Sequence, residues 1–305
     1  MRNKTLSVVI PTVGRSVLDD TIASVLSQRV MPYETVIWDN SGNAKAQKQS
    51  KYSSHPRLKW YAADKQLSIV ESWNTAVSLT SGKYIYILGD DDLMLPGFVE
   101  TVCGALDSGA ELLHVKCLKI DCNASLMELP GDVYPADAVY SAERFVSGVI
   151  NDELRIFLSA LVFPRAVFDR IGGFRDIVMN GLAMDVLFDI EAAVFCGSVT
   201  VIGEPVWLYR SMVSDWSGSV KRKRDILRMG ENYQNYRNHT RKMFKDKFPG
   251  LWDVFHRKLL IQQMISLCYR TSLAVTFLLA LQTKWSLKER YYILRDCFYL
   301  LRHQT

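Results

Sequence analysis

Three consecutive aspartates, Asp90, Asp91 and Asp92, stand just past the apolar run at residues 84–88. Like charges crowded at one spot raise one another's pKa and cost stability unless a cation or hydrogen-bond donors compensate. The cluster is either a solvated turn that starts a helix near Pro96 or a seat for something positive. Hard cations such as Mg2+ and Mn2+ prefer carboxylate oxygens, and magnesium-type sites combine one or two carboxylates with substrate phosphates. A metal held there would bridge the protein to a diphosphate and neutralise charge building on a leaving group. A further acid, Asp39, closes a second apolar run in "YETVIWDNSG".

The segments between these acids read as the scaffold that positions them. "LSVVIP" is short, β-branched and ended by proline, which predicts a buried strand. Residues 16–28 carry apolar side chains at helical spacing. A second strand runs into Asp39, and "LKWYAA" predicts a third that ends near Asp64. A helix follows through "SIVESWNTAVSLT", stopped by Ser81-Gly82, and "KYIYIL" is the next strand. This alternation predicts an α/β fold with a mainly parallel sheet flanked by helices. Ligands of such sheets bind beyond the carboxyl ends of the strands, so Asp39 and Asp90–Asp92 are expected at one rim. Farther on, a helix in "FVETVCGALDSG", strands in "AELLHVKCLKI", "FLSALVFP" and "SVTVIG", and a helix in "GLAMDVLFDIEAAVFCG" are predicted, with residues 121–137 irregular.

The 305 residues allow a sizeable core, as one large domain or two smaller ones. Six scattered cysteines form no CxxC pair, which argues against zinc and a disulfide framework and for a reducing cytoplasm. No run reaches the ~18 apolar residues of a spanning helix, and the apolar run at residues 6–10 is too short for a signal peptide. Charge is unevenly distributed: residues 221–305 hold 18 Lys and Arg against 6 Asp and Glu. Such a basic tail is either a solvated helix surface or the contact to an anionic partner. Its interleaved apolar and aromatic residues favour a membrane surface as that partner, and no nucleic-acid motif accompanies it.

The chain resembles the family 2 glycosyltransferases, enzymes with a GT-A fold. The likeness rests on "SVVIPTVGR", "ETVIWDNSG", "SIVESWNTAVSLTSGKYIYILGDDDLMLPG", "LVFPRAVFDRIGGF" and "MDVLFDIEAAVFCGSVTVIGEPVWLYR", in that order, across roughly residues 5–220. It implies a GT-A domain over 1–220, with a nucleotide-sugar half at 1–105 and an acceptor half at 106–220. Outside it lies a basic helical region at 221–305. Gly89-Asp90-Asp91 occupies the family's DxD position, with Gly89 replacing the first acid. By resemblance Asp90 lies near the ribose, Asp91 is the primary metal ligand and Asp92 supports either role. Pro11, Thr12 and Arg15 match the loop that lies against the nucleotide, Asp39 matches the acid that contacts the base, and Asp64 is a further nucleotide-side residue. The general base of the family usually sits in a Glu-Asp pair after the Gly-Gly-Phe turn. Here the pair reads Met184-Asp185, so Asp185 is implied as catalytic, with Asp189 and Asp176 as fallbacks. Arg210 either pairs with diphosphate or braces the fold, and Ser214, Trp216 and Ser217 lie on a loop that could close over the donor. Trp73 and Asn74 are expected to serve packing and helix support.

The resemblance implies an inverting, metal-dependent transfer, with Mn2+ or Mg2+, from a nucleotide-sugar donor, foremost a UDP-sugar. The acceptor is a saccharide or lipid-linked saccharide of surface polysaccharide assembly, met in the cytoplasm or at the membrane's cytoplasmic face. The C-terminal helices offer an oligomer interface. Two other readings stand beside it. A degenerate transferase domain could act as a membrane scaffold, favoured by Gly89 and Met184 where acids are usual. A nucleotide-sugar pyrophosphorylase would need a glycine-rich loop that "PTVGRSVLDD" lacks.

Overall fold

The first apolar run forms strand β1 (Leu6–Thr12), with every residue buried. In the computed structural model, residues 6–127, 137–151, 153–175, 184–211, 240–251 and 291 are described. Helix α1 (Leu18–Leu26) turns Leu18, Ile22 and Val25 inward, the 3.6-residue spacing of an amphipathic helix. Strand β2 (Glu34–Asp39), helix α2 (Lys45–Gln49), strand β3 (Leu58–Ala62), helix α3 (Ile69–Ser78) and strand β4 (Tyr84–Ile87) complete the first half. Helix α3 opens on a capping box in which Ser68 and Glu71 exchange side-chain and backbone hydrogen bonds. It ends at Ser78, before the Ser81-Gly82 pair expected to stop it. Those two N–H groups instead donate to Glu34 and to Ser7 Oγ.

The second half comprises strand β5 (Leu93–Met94), helix α4 (Phe98–Asp107), strands β6 (Leu113–Ile120), β7 (Leu126–Met127) and β8 (Ala138–Ser141), and helix α5 (Ala142–Ile150). Strand β9 (Leu161–Pro164), helices α6 (Arg165–Ile171) and α7 (Met184–Cys196), and strand β10 (Ser198–Arg210) follow. The sheet order is β3-β2-β1-β4-β9-β6-β10-β5, with β7 on β6 and β8 on β10. Strands β3, β2, β1 and β4 are mutually parallel, as are β6 and β10, and β9 runs antiparallel between β4 and β6. Most of the paired length is parallel, so the expected α/β architecture holds. Strand β10 runs seven residues past the "SVTVIG" segment predicted for it. Its register shifts between Ile202 and Trp207, which absorbs Gly203 and Pro205 as a bulge rather than a strand end.

The chain steps from β1 outward through β2 and β3, then returns to place β4 on the other flank of β1. That reversal makes the gap between the carboxyl ends of β1 and β4 a topological switch point, where an open α/β sheet binds its ligand. The core beneath joins Val8 and Ile10 of β1, Tyr84 and Tyr86 of β4, Phe98 and Val102 of α4, and Trp207 of β10. Burying one such aliphatic or aromatic side chain stabilises the fold by roughly 1.5–3 kcal/mol.

The chain divides into two compact units, Met1–Asp176 with Asn180–Asp215 and Ile177–Met179 with Trp216–Thr305. The ten strands found among the described residues belong to the first. In the second, Phe244 and Phe248 are buried and meet edge to face with ring centroids 6.2 Å apart. Most of the basic region, together with Asp176, Ser214, Trp216 and Ser217, lies outside the described residues.

Candidate active site

Strands β1 and β4 are parallel neighbours, with Val9 opposite Ile87, so the residues just past their carboxyl ends meet. Thr12 Oγ1 donates to Asp90 Oδ2 at 2.6 Å and accepts from the Gly14 N–H at 2.9 Å. The turn thus tightened presents Arg15, whose Nε lies 3.0 Å from Asp90 Oδ1 and whose Nη1 lies 3.5 Å from Asp91 Oδ2. Sequence spacing could not put Thr12 and Arg15 beside the aspartates; sheet topology does. Asp90 is buried, and desolvation outweighs its partners Thr12 and Arg15 to raise its pKa.

The three aspartates diverge in environment. Asp91 is partly exposed, whereas Asp92 is buried. Ser159 Oγ donates to Asp92 Oδ2 at 2.7 Å, and the Arg210 N–H donates to Asp92 Oδ1 at 3.1 Å. Burial, then the charge of Asp91, pushes the Asp92 pKa well above the usual carboxylate range. Asp92, expected among the metal ligands, therefore has both oxygens engaged by protein donors, and its chemistry here is that of a brace. The same Ser159 hydroxyl accepts from the Gly89 N–H at 2.9 Å. A Cβ at Gly89 would lie 2.8 Å from Asp92 Oδ2 and 3.1 Å from Asp91 Oδ1. Gly89, which stands where the resemblance expects an acid, is thus matched to an Asp92 carboxyl folded back over it.

Arg210 closes the site from β10. Strand β5 pairs with β10, Met94 opposite Trp207, which brings the end of β10 against the aspartate loop. Arg210 is buried, donates from Nε to the Asp91 carbonyl at 3.0 Å and stands 3.6 Å from Asp20 through Nη2. Of the two roles left open for it, this geometry is the brace. Helix α1 and the turn after it hold the other side of the loop: Gln28 Nε2, past the helix end, donates to the Leu95 carbonyl, and Ser24 Oγ accepts from the Met94 N–H.

Asp39 ends β2 beside Thr12 in register, on the rim predicted for it. It is fully buried, accepting from the Ser41 N–H at 2.9 Å and the Gln47 N–H at 2.8 Å. It thereby organises α2, a helix without an apolar stripe that the sequence did not reveal. Asn40, not singled out from the sequence, clasps the β3–α3 loop through Leu67, donating to its carbonyl at 3.1 Å and accepting from its N–H at 2.8 Å. Asp64 lies exposed on that loop, and its carbonyl approaches Gly42 of the β2 turn.

Asp185 and Asp189, expected on the acceptor side, belong to α7. Asn74 of α3 donates to the Phe174 carbonyl at 2.9 Å and accepts its N–H at 2.8 Å. Gly173 has φ +75°, and a Cβ there would lie 2.5 Å from Asn74 Oδ1, so the Gly-Gly-Phe turn requires its glycine. Phe188 of α7 meets Phe174 and Phe163 at 4.7 and 4.8 Å between ring centroids, and Arg175 pairs with Glu191. Asp185 is thereby fixed in the first turn of α7, where its Oδ1 accepts the Val186 N–H at 2.9 Å. Burial raises its pKa. Asp189, one turn on, is buried, with no hydrogen-bond partner for Oδ2 among the described residues, and burial and then Asp185 push its pKa well up.

Among the described residues no three His, Cys, Asp or Glu side chains converge as a ready metal cage. The hard oxygens that could hold Mg2+ or Mn2+ jointly with phosphates are those of the Asp91 carboxylate beside Asp90. No helix among the described residues is long and apolar enough to cross a membrane.

A model of the family described as Glycosyl transferase family 2 matches residues 7–172. The glycosyltransferase YwdF of Bacillus subtilis is 27% identical over 180 residues, 57% of this chain and 63% of that protein. Chondroitin synthase of Escherichia coli is 28% identical over 177 residues, 56% of this chain and 24% of the synthase. The chain therefore spans under two thirds of each of these relatives. Among solved structures, TarS 1-349 of S. aureus in complex with UDP-GlcNAc has a TM-score of 0.57 at 13% identity, covering 96% of this chain and 88% of that one. The same TarS fragment with UDP gives 0.57 at 12% identity, over 96% and 87%. These likenesses show the GT-A fold.

Proposed function

Because the chain belongs to glycosyl transferase family 2, we propose that it transfers a sugar, with inversion, from a UDP-sugar to the hydroxyl of a saccharide or lipid-linked saccharide. The observation that carries this reading is the constellation of Thr12, Arg15, Asp90 and Asp91 at the switch point between β1 and β4. The UDP and UDP-GlcNAc complexes of TarS support a uridine nucleotide as donor, and the name chondroitin synthase supports polysaccharide assembly.

In this reading Asp39, Asn40 and Asp64 frame the nucleoside end of the donor, with Pro11 and Thr12 forming its floor. Asp90 sits at the ribose. Asp91 would hold a divalent cation, Mn2+ or Mg2+, which when bound would neutralise charge on the departing diphosphate. Asp92, Ser159 and Arg210 keep the aspartate loop in one conformation, so the site needs little reorganisation at the moment of reaction. Asp185 takes the proton from the acceptor hydroxyl as that oxygen attacks the anomeric carbon and the carbon–oxygen bond to UDP breaks. Its raised pKa makes it the stronger proton acceptor. The basic residues of 221–305 support a reaction at an anionic, cytoplasmic membrane surface, each adding on the order of 1 kcal/mol near anionic lipid.

The test is UDP release from a panel of UDP-sugars, with saccharide acceptors, in Mn2+, Mg2+ or EDTA. Acceptor-dependent release that requires metal and is lost in Asp91→Ala and Asp185→Ala supports the proposal. Wild type and both variants behaving alike on donors that demonstrably bind overturns it.

A further inference from the structure

The aspartate loop already holds a cation of its own. Arg15 reaches Asp90 and Asp91 together, at 3.0 and 3.5 Å, from a loop pinned by the Thr12–Asp90 hydrogen bond. The two carboxylates belong to one strand end and the guanidinium to the neighbouring strand's turn, so the contact spans the switch point. We infer that Arg15 is a resident counter-cation that bars a lone divalent ion from Asp91 and yields only to an ion arriving with its diphosphate. This rests on the metal-dependent donor site proposed above.

The physical reason is charge balance. A divalent ion approaching Asp91 alone meets a guanidinium a few ångströms away, and like charges at that range in a partly exposed site repel strongly. A metal–diphosphate complex brings its own negative charge. The guanidinium can then exchange Asp91 for a phosphate oxygen, for which its planar fork of donors is suited. Two ligands that each favour the displaced guanidinium must strengthen one another's binding. Arg15 thus couples metal to nucleotide, beyond contacting the nucleotide. It is a positioning residue for the ion.

The experiment is a titration of nucleotide-free protein with Mn2+ alone, free Mn2+ being read by its electron paramagnetic resonance signal. Wild type, Arg15→Met, Arg15→Lys and the double variant Arg15→Met/Asp91→Asn are compared, each checked for native thermal unfolding. Arg15→Met is expected to bind Mn2+ at least about tenfold more tightly than wild type. Arg15→Lys stays within about threefold of wild type because the charge remains, and the double variant loses the gain. In Arg15→Met the enhancement of Mn2+ affinity by added UDP shrinks. If Arg15→Met binds Mn2+ no better than wild type, or neither binds it, the inference is overturned. UDP binding and transfer by wild type are measured separately, so the donor-site reading can survive that result, and its own failure appears as absence of UDP binding.

Discussion

Replacing Gly89 with alanine adds one methyl group where the structure leaves no room for it. The new Cβ would stand 2.8 Å from Asp92 Oδ2 and 3.1 Å from Asp91 Oδ1, both inside van der Waals contact. The Gly89 backbone is outside the left-handed region, so alanine meets no conformational penalty there. Without the steric contact, Gly89→Ala would stabilise the protein by about 0.4–1 kcal/mol through the unfolded chain. With it, Asp92 must withdraw from Ser159, whose hydroxyl donates to it at 2.7 Å. Leaving a buried polar group unsatisfied costs about 1–3 kcal/mol. The net expectation is a loss of about 1–2 kcal/mol, or about 2–4 °C in Tm for a domain of this size. Because the displaced carboxyl also contacts the Arg210 N–H, UDP affinity in Mn2+ should fall as well. Denaturant unfolding and UDP titration read the two effects. A variant as stable as wild type, or more so, with unchanged UDP affinity refutes the reasoning, and so does a gain of activity in Gly89→Asp.

Other perturbations have signs that follow from the same geometry. Glu34 accepts from Ser7, Lys59 and Ser81 at the amino ends of the strands, and although burial opposes it, these partners hold its pKa down from 4.5 to about 2. A depressed pKa adds stability above pH ~4.5 that is lost as pH falls toward ~2, and screening at the exposed Lys59 end limits it to about 1–2 kcal/mol. Glu34→Gln should therefore destabilise the protein at pH 7 and flatten its acid unfolding curve, measured by circular dichroism. Asn74→Ala should free the Gly-Gly-Phe turn, cutting kcat at least about tenfold while leaving the Kd for UDP within about twofold, since a partly buried pair of hydrogen bonds is lost. The raised pKa of Asp185 predicts that kcat/KM climbs through a limb above the ordinary carboxylate range. That limb should vanish in the residual activity of Asp185→Asn.

The elements legible in the sequence were those whose own residues carry the signal. Strands β1, β2 and β4 each carry a short apolar run, and α1 and α4 show the helical stripe. Helix α3 also showed in its apolar spacing, and its start is marked by the Ser68–Glu71 capping box. Helix α5 is not among the elements expected above, although Ser141 caps a run with Phe145, Val146 and Ile150 at helical spacing. Helix α2 was not legible, because the Asp39 carboxylate, from another element, holds its Gln47 N–H. Likewise the divergence of Asp90, Asp91 and Asp92 could not be read from three identical letters. It depends on Thr12, Ser159 and Arg210, which lie 78, 67 and 118 residues from their partners. The seat of Asp185 was visible through the Gly-Gly-Phe turn, but its anchoring by Asn74, 100 residues upstream of Phe174, was not.

The division of labour between Asp91 and Asp185 is tested most directly by calorimetric titration of UDP, with and without Mn2+, into wild type, Asp91→Asn and Asp185→Asn, alongside transfer assays on the same preparations. The account predicts that Asp91→Asn loses the Mn2+-dependent part of UDP affinity. Asp185→Asn should keep it in full while transfer falls by at least about a hundredfold. Equal UDP affinity in all three proteins with and without Mn2+, or undiminished transfer by Asp185→Asn, would contradict it.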